Sequence, residues 1–185
     1  EFNLKIIETE DLFFQVEPVE ISNLLDETLK QNVPIALAIA TEKASSELII
    51  INILLEIKRQ LQISFFSGID FSVDKDKGLN GFCDFIISKS RSQLIIKSPV
   101  AIILEAKNDN IQSGLGQCIA EMVAAQIFNQ RQNNNHTIYG SVTTGTNWKF
   151  MKLFDRVVKV DPNEYFLNNI GKLMGILRSF IESED

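Results

Sequence analysis

The chain has 185 residues, 45% of them hydrophobic and 23% charged, with a net charge of −6. That length suits one domain with a full hydrophobic core, and the composition is ordinary for a soluble globular protein. The longest apolar stretch, Leu48 to Leu55, is broken by Asn52 and too short to cross a bilayer. The acidic balance weighs against a dedicated nucleic-acid binder, whose footprint is strongly basic.

The charge is unevenly placed. Residues 1–31 hold eight acids against two bases and carry the whole −6, which leaves residues 32–185 neutral with sixteen of each sign. A neutral body with local basic patches can still hold phosphates. Residues 1–34 are therefore expected to form an acidic lead-in packed on or beside a single domain over residues 35–185. No basic-then-apolar leader opens the sequence. Cys83 and Cys118 form no CxxC pair, and one histidine cannot complete a zinc site with them. Buried thiols in a reducing compartment are the simpler reading, so a cytoplasmic location is expected.

Along the chain, a short helix is predicted from Ser22 to Gln31, with Ser22 as its cap and Pro34 as its stop. From about Thr41 to Leu61 the pattern is helical. At about 100° per residue, Asn52, Glu56 and Arg59 share a polar face opposite Ile50, Ile51, Leu54 and Leu61. Strand candidates follow at Ile63–Phe66, Gly81–Ser88, Leu94–Lys97 and Val100–Lys107. Ser113–Asn129 reads as a second helix, apolar on nearly all sides and so expected to be sandwiched. Strands at Thr137–Thr143, Trp148–Phe154 and Val157–Val160 and a helix from about Asn163 to Ile181 complete the chain. This order predicts an α/β fold around a central mixed sheet flanked by helices.

Chemistry concentrates in SPVAIILEAKN. Side chains alternate along a strand, so Ala101, Ile103, Glu105 and Lys107 share one face and Ile102, Leu104 and Ala106 the other. An acid and a base emerging together at the end of an apolar strand are either a structural ion pair or a site. In the preceding strand, GFCDFIIS, Asp84 interrupts an apolar run, with Phe82 and Ile86 on its own face. A carboxylate there is costly unless compensated. Side by side, the two strands would bring Asp84 and Glu105 together, and a divalent cation relieves the repulsion of two such carboxylates.

Asp84, twenty intervening residues and then Glu105-Ala106-Lys107 resemble the PD-(D/E)XK nuclease superfamily, as does the helix–strands–helix–strand order. The likeness runs from about Thr41 to Thr143, and the phrases GFCDF, EAKN, GLGQCIAEM and YGSVTTGTNWKF look like a bacterial group within that superfamily. The proline that usually precedes the aspartate is absent; Gly81-Phe82-Cys83 stand there. A second acid-x-lysine, Glu56-Ile57-Lys58, lies on the polar face of the first helix and reads as solvated.

The resemblance implies a restriction endonuclease-like αβββαβ core and a Mg²⁺ site, with Mn²⁺ an accepted substitute. Mg²⁺ prefers oxygen ligands at about 2.0–2.1 Å, which Asp84, Glu105 and the Ala106 carbonyl can supply. Lys107 would orient or help deprotonate a water and stabilise charge at phosphorus. Glu47 shares the helical face of Ile50, Ile51 and Leu54 and is expected to point inward. In the family an acid from the first helix completes the site, and Glu47 corresponds; it is equally a first-turn acid favoured by the helix dipole. Gln117 corresponds to a glutamine placed beside the lysine, or is an ordinary polar residue near a helix start. The implied function is a Mg²⁺-dependent DNA endonuclease of restriction, repair or defence, with DNA as partner and a homodimer left open. A non-catalytic nucleic-acid-binding or assembly module that keeps the fold is the alternative.

Other motifs yield less. Asp74-Lys75-Asp76-Lys77-Gly78 departs from the calcium loop at its glycine and at Phe85, and Gly114-Leu115-Gly116 makes no dinucleotide fingerprint. Thr143 to Lys149 reads as a polar turn that meets phosphate or a base, or as a plain hairpin with Trp148 in the core.

Overall fold

The computed structural model describes residues 2–183. Its strands are β1 Lys5–Glu8, β2 Ser64–Asp70, β3 Phe82–Ser88, β4 Val100–Ala106, β5 Ile138–Thr143, β6 Asn147–Phe154, β7 Val157–Val160 and β8 Tyr165–Phe166. They form one sheet in the order β1-β7-β6-β5-β4-β3-β2, with β8 beside β6. The β4–β5 and β1–β7 pairs are parallel and the others antiparallel, so the sheet is mixed and mostly antiparallel. The helices are α1 Asn23–Ile39, α2 Glu42–Ser45, α3 Ile51–Gln60, α4 Ile111–Gln130 and α5 Ile170–Glu182. A π-helical turn, Ser46–Ile50, joins α2 to α3.

Helices lie on both faces of the sheet. On one face Ile53, Leu54, Leu177 and Phe180 pack with Phe85, Ile102, Leu104 and Phe150. On the other, Cys118 and Met122 of α4 pack with Ile86, Ile103, Val142 and Met151. Being covered on both sides, β4 is buried throughout, which accounts for the unbroken apolar run Val100–Leu104. The buried Asn129 side chain holds the start of β4, donating to the Val100 carbonyl and accepting its N–H, both at 2.8 Å.

Several predicted elements are corrected. Ser22 does cap α1, accepting from the Leu25 N–H at 3.2 Å, but the helix runs on through Pro34 and stops only at Ala40, in the left-handed region at φ 54°. Pro34 and Lys30 are exposed, so water can satisfy the Lys30 carbonyl that the missing N–H leaves free. Leu94–Lys97 is no strand. Leu94 is fully exposed, and side chains tie the segment down: the Ser88 hydroxyl donates to the Lys97 carbonyl and the Gln93 amide to the Phe65 carbonyl. Helix α4 is covered on one side only, because Gln112, Ser113, Gly116, Gln117 and Ala120 face solvent. Helix α5 starts later than Asn163, since residues 165–166 are taken into the sheet as β8.

The largest correction concerns Glu56, which is 2% exposed instead of solvated. Helix α1 packs across α3. The Glu56 carboxylate accepts the Ser22 N–H at 3.0 Å and the Ser22 hydroxyl at 2.9 Å, together with bonds from Gln60 and Arg59. A buried acid of one helix thus fixes the first turn of another. Burial works to raise its pKa, but the bonds from Ser22, Gln60 and Arg59 outweigh it and hold the carboxyl below its ordinary 4.5. A depressed acid contributes stability above its unfolded pKa that is lost as pH falls through the folded value. Glu56→Ala should therefore cost about 1–3 kcal/mol, the cost of stranding half-buried donors. Urea titrations at neutral pH and near pH 4 check this: the gap between parent and Glu56→Gln should narrow on acidification. An unchanged midpoint in Glu56→Ala would mean that packing alone holds α1.

Candidate functional site

The β3–β4 pairing runs from Ser88/Val100 to Phe85/Leu104 and stops one step short of Asp84 and Glu105. There the Asp84 carboxylate accepts the Ala106 N–H at 2.8 Å, in place of a backbone partner. Position 84 also lacks a partner on β2, where Gly68 stands opposite with φ +58°. The expected alternation slips at this point. Cys83 and Ile86, three residues apart, both pack on the α4 side, whereas Phe85 joins the opposite core. β3 and β4 therefore part at Asp84, and their ends carry the polar groups.

Glu105 is 1% exposed. Its Oε1 accepts from Lys107 Nζ at 2.5 Å, while its Oε2 is buried with no hydrogen-bond partner. Lys107 Nζ also donates to Gln117 Oε1 at 3.4 Å, and the Gln117 amide donates to Glu121 Oε1 at 3.1 Å. Glu121 Oε2 is a second buried oxygen without a partner, and the Cys83 thiol lies against the same carboxylate. Gly114 makes this approach of α4 feasible. A Cβ there would stand 2.7 Å from Val142 Cγ1 and 3.0 Å from Lys107 Cε.

The electrostatics follow from three carboxylates around one ammonium. Burial first, then the charges of Asp84 and Glu121, push Glu105 up to about 8 against the pull of Lys107. Burial likewise leads the upward shift of Glu121. Burial would lower Lys107, but the bond it donates to Glu105 and the charges of Glu105, Glu42 and Asp84 outweigh it, so the ammonium is held charged. Glu105 and Glu121 are both short of positive charge.

Asp84, Glu105, Lys107 and Gln117 are thus brought together, and Ala106 is tied into the same knot through its N–H. Glu47 is not. Its side chain is 65% exposed and faces Lys43 at 3.8 Å, so the expectation that it points inward does not hold. The π-helical turn inserts an extra residue and rotates Glu47 away from the face that Ile53, Leu54 and Ile57 bury. The acid of that helix that acts on Lys107 is Glu42, next to the capping Thr41. Glu121 was legible as a helical neighbour of Gln117, four residues on, but its burial was not. Trp148 is buried, with its indole N–H on the Gly145 carbonyl at 3.0 Å, so the Thr143–Lys149 turn offers no stacking ring.

Two hollows flank the cluster. One of about 300 Å³ is lined by Cys83, Gln117 and Glu121, and one of about 470 Å³ starts at Asn108, one residue past Lys107. Among the described residues no three His, Cys, Asp or Glu side chains form a ready-made ion cage. The donor set still suits a hard divalent cation: carboxylate and backbone carbonyl oxygens, one carboxylate oxygen buried and unpaired on Glu105. Among those residues, too, no helix is long and apolar enough to cross a membrane. No protein-family model matches the chain, and no curated protein matches it.

The raised Glu105 has a measurable consequence. An acid whose folded pKa exceeds its unfolded one contributes stability that is complete below the unfolded value and lost as pH rises through the folded value. With 4.5 as the ordinary value and about 8 in the fold, melting temperature in a chelator should fall between these limits. Glu105→Gln should flatten that slope. Parallel slopes for parent and variant would show that Glu105 titrates normally.

Proposed function

We propose that this chain is a Mg²⁺-dependent phosphodiesterase acting on DNA, of the endonuclease type, on a PD-(D/E)XK nuclease-like core. The observation that carries the reading is the charge deficit where β3 and β4 part. Three carboxylates share a single ammonium there, and two of them keep a buried oxygen unpaired. A buried acidic group of this kind is destabilising unless a cation offsets it. The element order α3, β2, β3, β4, α4, β5, with Asp84 on β3 and Glu105-Ala106-Lys107 closing β4, supports the same reading.

Asp84, Glu105 and the Ala106 carbonyl are the groups that would hold the ion. A bound Mg²⁺ or Mn²⁺ supplies Lewis acidity toward a phosphate and lowers the pKa of water. Lys107 brings a fixed positive charge to the phosphate, whose negative charge grows during attack. Its raised pKa favours that electrostatic role over proton abstraction. Gln117 keeps Lys107 and Glu121 in place from α4. A non-catalytic module is favoured by one observation, the direct Lys107–Glu105 pair, which partly neutralises the site without a metal.

Calorimetry with Mn²⁺ and a plasmid-nicking assay in Mg²⁺ separate the two. Asp84→Ala should abolish both binding and nicking. Lys107→Ala should keep Mn²⁺ binding and lose nicking by about 10²–10³-fold, the scale of removing one charge-stabilising donor. Metal binding that survives Asp84→Ala would refute the ligand assignment, and nicking at the parent rate in Lys107→Ala would reduce Lys107 to a structural cation.

A further inference from the structure

The hollow beginning at Asn108 has a chemistry distinct from the acidic cluster beside it. Its volume of about 470 Å³ falls in the range of small-molecule sites. Asn108, Asp109 and Gln112 line it from the β4–α4 connection and the start of α4, and Asn147 and Glu164 line it from the other side. Leu37 of α1, 59% exposed, supplies an apolar wall. Among the described residues no lysine or arginine lines it. Two carboxylates without a cation repel a phosphate. An apolar shelf rimmed by carboxylates and amides suits a flat ring with hydrogen-bond donors on its edge.

The Asn147 amide donates to Glu164 Oε2 at 3.2 Å, which fixes both side chains at the rim. Asn147 opens β6 and Thr146 lies in the turn before it, which the Thr144 and Thr146 hydroxyls hold together at 3.3 Å. Residues of α1, α2, the β4–α4 connection and the β5–β6 turn line this hollow, and about 470 Å³ holds a nucleoside but not a duplex, so the occupant must be unpaired.

We propose that this hollow is a subsite for an unpaired nucleobase that carries an exocyclic amino group, with thymine disfavoured. The inference rests on the proposed action of Asp84, Glu105 and Lys107 on a polynucleotide, and it names which part of that substrate lies next to the phosphate. Cytosine, adenine and guanine each present an amino donor to the Asp109 and Glu164 carboxylates. Thymine lacks an amino group, and its one base donor, N3–H, is flanked by two carbonyl oxygens that those carboxylates repel.

Free nucleosides test the pocket without any need for cleavage. Amide resonances of the full chain are followed during titration with deoxycytidine, deoxyadenosine and thymidine. The first two should shift Asn108, Asp109 and Asn147, with thymidine weaker by at least about fivefold, the low end for one well-made base contact. Glu164→Gln should remove that preference, and Leu37→Ala should weaken all three ligands. Both residues are exposed, and the remaining resonances report whether either variant is still folded. Absence of shifts at these residues, equal binding of thymidine, or an unaltered preference in Glu164→Gln overturns the proposal. Asp84→Ala serves as the separating control, since it should leave the titration untouched. Nucleoside binding without nicking in the parent protein sinks the nuclease reading and leaves the pocket, and nicking without nucleoside preference does the reverse.

Discussion

The hydrogen bond from the Ala106 N–H to the Asp84 carboxylate decides where the sheet opens. Up to that point β3 and β4 pair with a single bulge, between Ile87 and Ser88, and their side chains feed two apolar cores. At that point a side chain takes the place of the next backbone acceptor. The orphan N–H is satisfied, so the ladder can stop inside the fold without leaving a buried donor unpaired. What would have been a dry interior becomes a cleft floor lined with acids. Gly68, with φ +58° on the neighbouring strand, gives β3 the slack to turn its aspartate inward.

The second organising feature is the shortage of positive charge around that floor. Lys107 serves Glu105 directly, is linked to Glu121 by way of Gln117 and through space, and answers Glu42 and Asp84 through space. Such a cluster is costly for a domain of marginal stability. The same residues account for the shape of the surroundings: α4 must lie low over Lys107, and Gly114 is the position that allows it. Stability and proposed chemistry therefore pull on the same few side chains in opposite directions.

Much of this was legible in the sequence, for reasons that differ by residue. Glu105 and Lys107 follow from strand alternation in an apolar run, a rule of local geometry that held there, although Ala101 slips into the opposite core at the bulge facing Ile87 and Ser88. Gln117 follows only from the resemblance to the nuclease superfamily. Glu47 failed because the π-helical turn shifts the phase of one helix, and nothing in Ser46–Ile50 announces an added residue. Glu56 failed for another reason. A polar helical face was equated with water, whereas its real neighbour is the first turn of α1, tens of residues earlier. Pro34 was read as a stop, yet an exposed proline only costs one bond that water can replace. In each case the missing knowledge was what packs against the residue.

The edge of the sheet carries a consequence for how the chain reaches this state. Residues 5–8 pair in parallel with residues 157–160, so the first strand waits for almost the last one. During synthesis from the N-terminus that partner emerges late, and β1 with its exposed Ile6 stays open for most of that time. Contacts of such sequence separation close slowly because the intervening loop must be ordered first. β7 is not completed on its outer side until it pairs with β1, so segments about 150 residues apart in sequence meet at that seam. A ribosome-bound nascent chain of this protein would expose that seam to any passing strand, which makes the timing of translation part of its folding problem.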